Sequence, residues 1–317
     1  MNRKSLKEQS IVLLVDTWQT SWELLKITLP VLIITRILEQ FGRVSFFSIV
    51  LEPVMGIMGL PGSLGLVWAT AMLTSLYGGI AVFAVLAPSL DLTVAQITIL
   101  CSAMLIAHAL PIELSVSKKA GASLIPIGLL RLLGAVTYGI ILHHLSLFFG
   151  FWQEKATVYF KAADISQTSV EWALDQLQNI ALIVLIIFCI LIVMRILRVV
   201  GLLTLLEKIL APVLPVFGMG NNAAPVTVVG MVMGLGYGGA MIIRETAGGK
   251  MDRQEIFYSM AMMGLCHGLV EDTLLMVAIG GRIIGVFWGR ILFSLLVVYC
   301  IVQCGRFLSG RRVRAEN

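Results

Sequence analysis

The sequence predicts an all-α protein that crosses a membrane several times and consists of two similar halves of opposite orientation. Three observations support this fold class: a high apolar content, many apolar runs of spanning length, and an internal duplication. Of the 317 residues, 58% are hydrophobic and 13% are charged. A soluble domain carries about 25% charged residues. Most side chains must therefore face lipid or other helices.

The apolar runs come in two lengths. A helix needs about 20 mostly apolar residues to cross a bilayer. The longer runs are Leu25–Leu38, Leu64–Leu86, Ala122–Leu147, Ile180–Val200, Ala223–Ile243 and Ile283–Val302. The shorter runs are Ser45–Gly59, Ile97–Leu114, Leu203–Phe217 and Ile256–Val270. Together they predict about eight to ten spans, with the short runs either crossing fully or re-entering from one side.

The second half of the chain repeats the first at an offset of 159 residues, with one inserted residue in the middle of the repeat. The matched residues include Arg36 and Arg195, His108 and His267, Arg131 and Arg290, and Tyr77-Gly78-Gly79 and Tyr237-Gly238-Gly239. Chance can align apolar residues of two membrane segments, but it does not align Arg, His and Tyr-Gly-Gly in one order. The chain therefore contains two copies of one unit.

The repeats are predicted to be inverted. Each has five elements, and an odd number of crossings turns the second copy over. The connection Ala87–Ala95 has no Lys or Arg, whereas its equivalent Arg244–Arg253 has three. Because basic loops stay in the cytoplasm, both termini are predicted inside. The predicted segments are an interfacial helix (1–22), a first repeat (23–148), an external linker (149–178), a second repeat (179–305) and a basic cytoplasmic tail (306–317).

Several function classes are excluded by composition and motifs. The net charge is +5, but the basic residues flank apolar runs, which is typical of membrane anchoring and not of nucleic-acid binding. The five cysteines lie in apolar helices without zinc-ligand spacing, so we expect no metal site. The chain has no P-loop, no Gly-x-Ser-x-Gly and no His-Glu-x-x-His motif, so we expect neither an enzyme nor a cofactor.

The first candidate solute-binding residues lie in two breaks that follow short helices. They are Gly62 and Ser63 in the first half, and Gly220, Asn221 and Asn222 in the second. Such residues leave backbone groups unpaired, and at membrane depth these must face protein or a cavity. Interrupted apolar segments at matching positions of two halves are typical of transporter sites. A tight turn at the membrane surface is the alternative.

The second group of candidates consists of ionisable side chains in apolar runs. They are His108 and Glu113, and in the second copy His267, Glu271 and Asp272. A charge at mid-membrane costs about 2.5–3.5 kcal/mol, so it normally faces a partner or water. His267 and Glu271 share one helical face, whereas His108 and Glu113 do so only if the helix breaks near Pro111. Packing of the two halves through buried ion pairs is the alternative.

Two arginines lie deeper in their apolar runs. Arg131 and Arg290 are predicted to form structural ion pairs with these acids, because an unpaired guanidinium in lipid is too costly. Binding of an anionic solute is the alternative for both.

The segments Glu23–Pro30, the regions of Pro53 and Pro212, and His267–Thr273 resemble the nucleoside recognition, or Gate, domain family. The resemblance covers nearly the whole chain as two copies. It implies the fold that membrane parts of nucleoside and ferrous-iron transporters share, and it adds Thr273 to the candidate site through the Glu-Asp-Thr motif. The absence of a soluble GTPase domain disfavours iron. Fold does not fix the solute.

These features predict a secondary transporter or permease for a small polar solute, nucleoside-like or another metabolite, in the bacterial inner membrane. The solute site is expected between the repeats, with Na⁺ or H⁺ as the coupling ion. The expected partners are the lipid bilayer and a small-molecule solute, and a homo-oligomer is left open. The alternative is a non-transporting assembly protein or partner subunit of an envelope complex, and a membrane enzyme acting on lipid comes third.

Overall fold

A computed structural model describes residues 43–161 and 169–315, together with isolated helical positions between Val15 and Ile37. The all-α membrane fold is confirmed, since the described residues form helices and no strand. Among them, four helical segments are long and apolar enough to cross a membrane: Val94–Lys119, Leu124–Phe149, Val170–Val200 and Ile284–Phe307. Most of the predicted interfacial helix (1–22) and of the first span lies outside the described residues.

The described helices follow one another in the same order in both halves. The first half contains α1 (Arg43–Ile57), α2 (Leu64–Leu73), α3 (Leu76–Leu86), α4 (Val94–Ile106), α5 (Leu110–Lys119) and α6 (Leu124–Phe149). The second half contains α7 (Ser169–Val200), α8 (Leu202–Leu210), α9 (Ala223–Met233), α10 (Leu235–Ala247), α11 (Arg253–Leu265), α12 (Glu271–Ala278) and α13 (Arg290–Ala315). A π-helical turn, Ile284–Gly289, leads into α13.

Two of the long apolar runs are interrupted near their middles. The sequence predicts one helix over Leu64–Leu86 and one over Ala223–Ile243, but each run forms two helices. In the first, the Ser75 backbone is extended and its hydroxyl accepts a hydrogen bond from the N–H of Gly78 (3.3 Å), which caps α3. In the second, Gly234 (φ +98°) separates α9 from α10. Uniform apolar composition does not reveal such breaks.

Two further breaks divide α4 from α5 and α11 from α12. Ala109 has a left-handed backbone (φ +45°), and Gly268 has nearly the same conformation (φ +55°) at the matching position. Pro111 lies in the first turn of α5, where its missing N–H leaves no helical bond unmade. α4 therefore ends at Ile106, and a break lies between His108 and Glu113, as the sequence requires for these two side chains to meet.

Local structure repeats between the halves as closely as the sequence does. Thr93 and Gln96 form a capping box at the start of α4, and Asp252 and Glu255 form one at the start of α11, 159 residues later. Gln96 Nε2 then donates to the Gly59 carbonyl (3.0 Å), while Glu255 accepts from the backbone N–H after the equivalent turn (3.0 Å). These matches support the duplication, and the opposite orientation of the halves stays a prediction.

The halves pack against each other along α6 and α11, and along α4 and the π-helical turn. Gly134 in α6 faces Leu265 in α11, and a Cβ at this glycine would lie 2.8 Å from the Leu265 side chain. The Tyr138 hydroxyl donates to the Gly285 carbonyl (2.6 Å) across the same interface. The glycine thus lets the α6 backbone lie directly against the Leu265 side chain of the other half.

Candidate functional site

The α4–α5 break and the α11–α12 break each contact a neighbouring helix of the same half. The N–H of Ala109, in the α4–α5 break, donates to the Ala71 carbonyl near the end of α2 (2.9 Å). The N–H of Leu269, in the α11–α12 break, donates in the same way to the Met231 carbonyl near the end of α9 (2.9 Å). In each half, a backbone hydrogen bond therefore joins this break to the end of a neighbouring helix.

A histidine lies in each of the two breaks just described. The ring Nδ1 of His108 lies 2.9 Å from the Met104 carbonyl, and that of His267 lies 2.7 Å from the Met263 carbonyl. A carbonyl can only accept, so both Nδ1 atoms carry the hydrogen. Each imidazole thereby caps the last turn of its helix, where the backbone has no further N–H to offer. The Nε2 atoms are turned toward each other, 3.3 Å apart.

Glu113 completes a triangle with the two histidines. Its Oε1 lies 3.3 Å from His108 Nε2 and 3.1 Å from His267 Nε2. His108, Glu113 and His267 expose 6%, 9% and 2% of their surface, so all three are nearly shielded from the exterior. We call these three residues the central triangle.

Arg131 holds the triangle from the α6 side. Its guanidinium pairs with Oε2 of Glu113, leaving Oε1 for the histidines. Arg131 Nε donates to the Ile106 carbonyl (2.8 Å) and Nη2 to the His108 carbonyl (2.9 Å), both of which the end of α4 leaves unpaired. The sequence predicts an acid partner for Arg131, and the structure places Glu113 in that position.

Arg290 has no such partner, which corrects the predicted ion pair. It is fully buried, and its Nη2 donates to the Thr273 hydroxyl at 3.3 Å. Its Nε and Nη1 have no hydrogen-bond partner among the described residues. The candidate acids Glu271 and Asp272 form no ion pair with it there. A helix turns about 100° per residue, so Asp272, one position before Thr273, points elsewhere.

The acids of α12 instead line a cavity of about 240 Å³ beside the central triangle. Its walls are His108, Glu113, His267, Glu271 and Asp272, together with the segment Val232–Leu235 at the α9–α10 break. The cavity wall thus contains three carboxylates, and one of them, Glu113, is paired with the Arg131 guanidinium. The acids at its wall favour positively charged ligands.

The other predicted binding residues lie elsewhere. Asn221 and Asn222 are exposed at the start of α9, about 16 Å along that helix from the cavity at its other end. The Asn222 side-chain amide donates to the Lys250 carbonyl (3.2 Å), and Gly220 is bound by Glu255. The prediction that the asparagines and the His267–Asp272 segment line one cavity is therefore wrong.

Gly62 and Ser63 occupy the equivalent turn before α2, at the opposite end of that helix from Ala71. The alternative from the sequence, a tight turn, describes both segments. In these turns neighbouring side chains pair the free backbone groups. Gln96 Nε2, for example, donates to the Gly59 carbonyl.

The prediction of no metal site rested on residue spacing along the chain. In the structure, one ligand atom each of His108, Glu113 and His267 lie within 4.8 Å of one another. Sequence spacing does not reveal this cluster because the two histidines are 159 residues apart. The signal that was available is the duplication itself, which places a histidine at one position of both copies.

Comparison with known proteins agrees with the membrane class. No model of a known protein family matches the chain, and no solved structure matches it. Over 273 residues the chain is 27% identical to a protein of Bacillus subtilis (strain 168) named uncharacterized membrane protein YvoD, and the alignment covers 83% of this chain and 84% of that protein. The chain is a multi-pass membrane protein. The Gate-domain resemblance stays a prediction.

Proposed function

We propose that this protein is a secondary transporter or permease of the bacterial inner membrane, with its solute site in the cavity beside the central triangle. One observation carries the proposal. A cavity with three carboxylates and two histidines lies between helix breaks contributed by both halves of a membrane protein.

The cost of these charges supports transport. Each ionisable group within a span is unfavourable by about 2.5–3.5 kcal/mol, and a protein that needed only a stable fold could replace the cavity with apolar side chains. Glu271 and Asp272 have no ion-pair partner among the described residues within 4 Å. They are held instead at the wall of a cavity, where a solute or a coupling ion can reach them.

The helix breaks supply the second argument. The end of α9 and the start of α10 both contribute to the cavity wall through Val232–Leu235. Helix ends leave carbonyl and N–H groups unpaired, and in transporters such groups coordinate the solute and ions. The three carboxylates of the cavity wall favour a solute that is cationic or rich in hydrogen-bond donors, with Na⁺ or H⁺ as the coupling ion. Membership in the Gate-domain family is part of this proposal.

The test is electrogenic transport in proteoliposomes adsorbed to a solid-supported membrane. Rapid addition of small polar and cationic solutes, with and without Na⁺ and with a pH gradient, should produce a current with at least one solute. Glu271→Gln and Asp272→Asn should each abolish it. Glu52→Gln, which neutralises an exposed carboxylate of α1, should leave it unchanged. Equal currents in the wild type and the two cavity variants would contradict the proposal.

A further inference from the structure

The central triangle has more acceptors than its hydrogens can satisfy. Both histidines use the Nδ1 hydrogen on a backbone carbonyl, so in their neutral form each Nε2 presents a lone pair. The third corner is a carboxylate oxygen, which only accepts. Three acceptor atoms therefore face one another at 3.3, 3.1 and 3.3 Å. Such an arrangement requires a positive species at its centre, either a proton or a metal ion.

The dimensions of the triangle fit a metal ion. The three separations are nearly equal, so the centre lies about 1.9 Å from each corner. An ion about 0.8 Å above the plane would lie about 2.0–2.1 Å from all three atoms, which is the bond length of zinc to imidazole and carboxylate. Ligands of a tetrahedral ion at this bond length are themselves about 3.3 Å apart. A single shared proton would lie on one edge and would not favour an equal-sided triangle.

The surroundings of the triangle also match those of metal ligands. Histidines that bind metals almost always donate the other ring N–H to a carbonyl or carboxylate, as His108 and His267 do to Met104 and Met263. Arg131 fixes the remaining oxygen of Glu113. The triangle borders the cavity, which leaves one side of it open for water or a further ligand. Glu271 and Asp272 lie in the wall of the same cavity.

We infer that His108, His267 and Glu113 form a binding site for a divalent first-row transition-metal cation. Two imidazoles and one carboxylate suit zinc, iron and cobalt ions, whereas Mg²⁺ and Ca²⁺ prefer oxygen ligands alone. Because the ligands come from both halves, the bound ion joins the α4–α5 break to the α11–α12 break. The inference concerns binding and does not depend on the proposed transport.

The test is equilibrium binding of Zn²⁺ and Co²⁺ to the full chain, purified in detergent without a polyhistidine tag. Calorimetry should find one Zn²⁺ per chain, and Co²⁺ should give a visible spectrum that Zn²⁺ removes. His108→Gln and His267→Gln together should weaken binding by more than about 100-fold. X-ray absorption of the zinc complex should show two imidazoles in the first shell.

The chain provides a matched control. Its only other histidines, His143 and His144, lie in α6 outside the triangle, and His143→Gln with His144→Gln should leave the affinity unchanged. Thermal unfolding should show that both double variants are folded. A folded wild type that binds no Zn²⁺, or triangle variants that bind it equally well, would overturn the inference. Zinc binding without any solute current would support the metal site and would contradict only the proposed transport.

Discussion

Arg131 and Arg290 occupy matching positions in the two halves, yet their guanidinium groups have different surroundings. Arg131 pairs with Glu113 and also donates to two carbonyls at the end of α4. Arg290, equally buried, makes one hydrogen bond to the Thr273 hydroxyl. The two arginines therefore differ both in their bonds to carbonyls at the helix break and in their partner on the following short helix.

A shift of one residue accounts for the different partners on the short helix. Glu113 lies 18 residues before Arg131, and the residue 18 before Arg290 is Asp272. The hydrogen bond to Arg290 is made instead by Thr273, 17 residues before it. Asp272 is thereby turned into the cavity, and its carboxylate lies directly over Gly268. One half therefore uses its acid to pair an arginine, while the other presents its acids to a cavity.

The largest expected effect concerns the orientation of the halves. In a background without native cysteines, a membrane-impermeant maleimide added from outside should label Ser89→Cys and leave Gly248→Cys unlabelled. Both positions are exposed, and they follow equivalent helices. Permeabilised cells, in which both should react, provide the control. Equal labelling in intact cells would contradict the inverted-repeat prediction. The two arginines could then no longer be compared as symmetry-related residues.

The next largest effect is expected at Glu113. Glu113→Ala leaves the Arg131 charge buried without its partner, and such a change destabilises proteins by about 3–5 kcal/mol. Thermal unfolding in detergent should show a large decrease in Tm. Adding Arg131→Met to this variant should recover part of the loss, because the unpaired charge is gone. A single variant as stable as the wild type would show that the ion pair contributes little.

Arg290 should behave in the opposite way. Its Nε and Nη1 lack partners among the described residues, and an unsatisfied buried group costs about 1–3 kcal/mol. Arg290→Met should therefore leave the protein as stable as the wild type or more stable by about 1 kcal/mol, while Arg131→Met lowers the Tm. Equal destabilisation by the two substitutions would mean that Arg290 has an acid partner after all.

The smallest expected effects come from the left-handed residues in the two breaks. Ala109 and Gly268 have similar φ angles, but only glycine adopts them without strain, and other residues lose about 1–2 kcal/mol. Ala109→Gly should therefore raise the Tm slightly. Gly268→Ala should lower it by more, because its Cβ would also meet the Asp272 carboxylate. A stability gain from Gly268→Ala would exclude this backbone conformation.

The sequence alone determined the class of the protein and the order of its parts. Apolar content and run length are properties of local segments, so they require no knowledge of packing. The offset of 159 residues pairs His108 with His267 and Arg131 with Arg290, and this match identifies them as candidates without any knowledge of their contacts. The resemblance to Gate domains, the inverted orientation and the solute stay predictions.

Only the tertiary structure decided where the helices break and which polar groups meet. In the break at Ala109 the backbone N–H donates to the Ala71 carbonyl of another helix, and no local residue pattern reports such a bond. The breaks predicted at Gly59–Ser63 and Gly218–Asn222 do separate helices, but they lie at the ends of α2 and α9 away from the cavity. Glycine, proline and asparagine are equally suited to such turns and to a binding site. The central triangle joins side chains from both halves, so its geometry depends on how the helices pack, and a one-residue shift determined which acid faces an arginine.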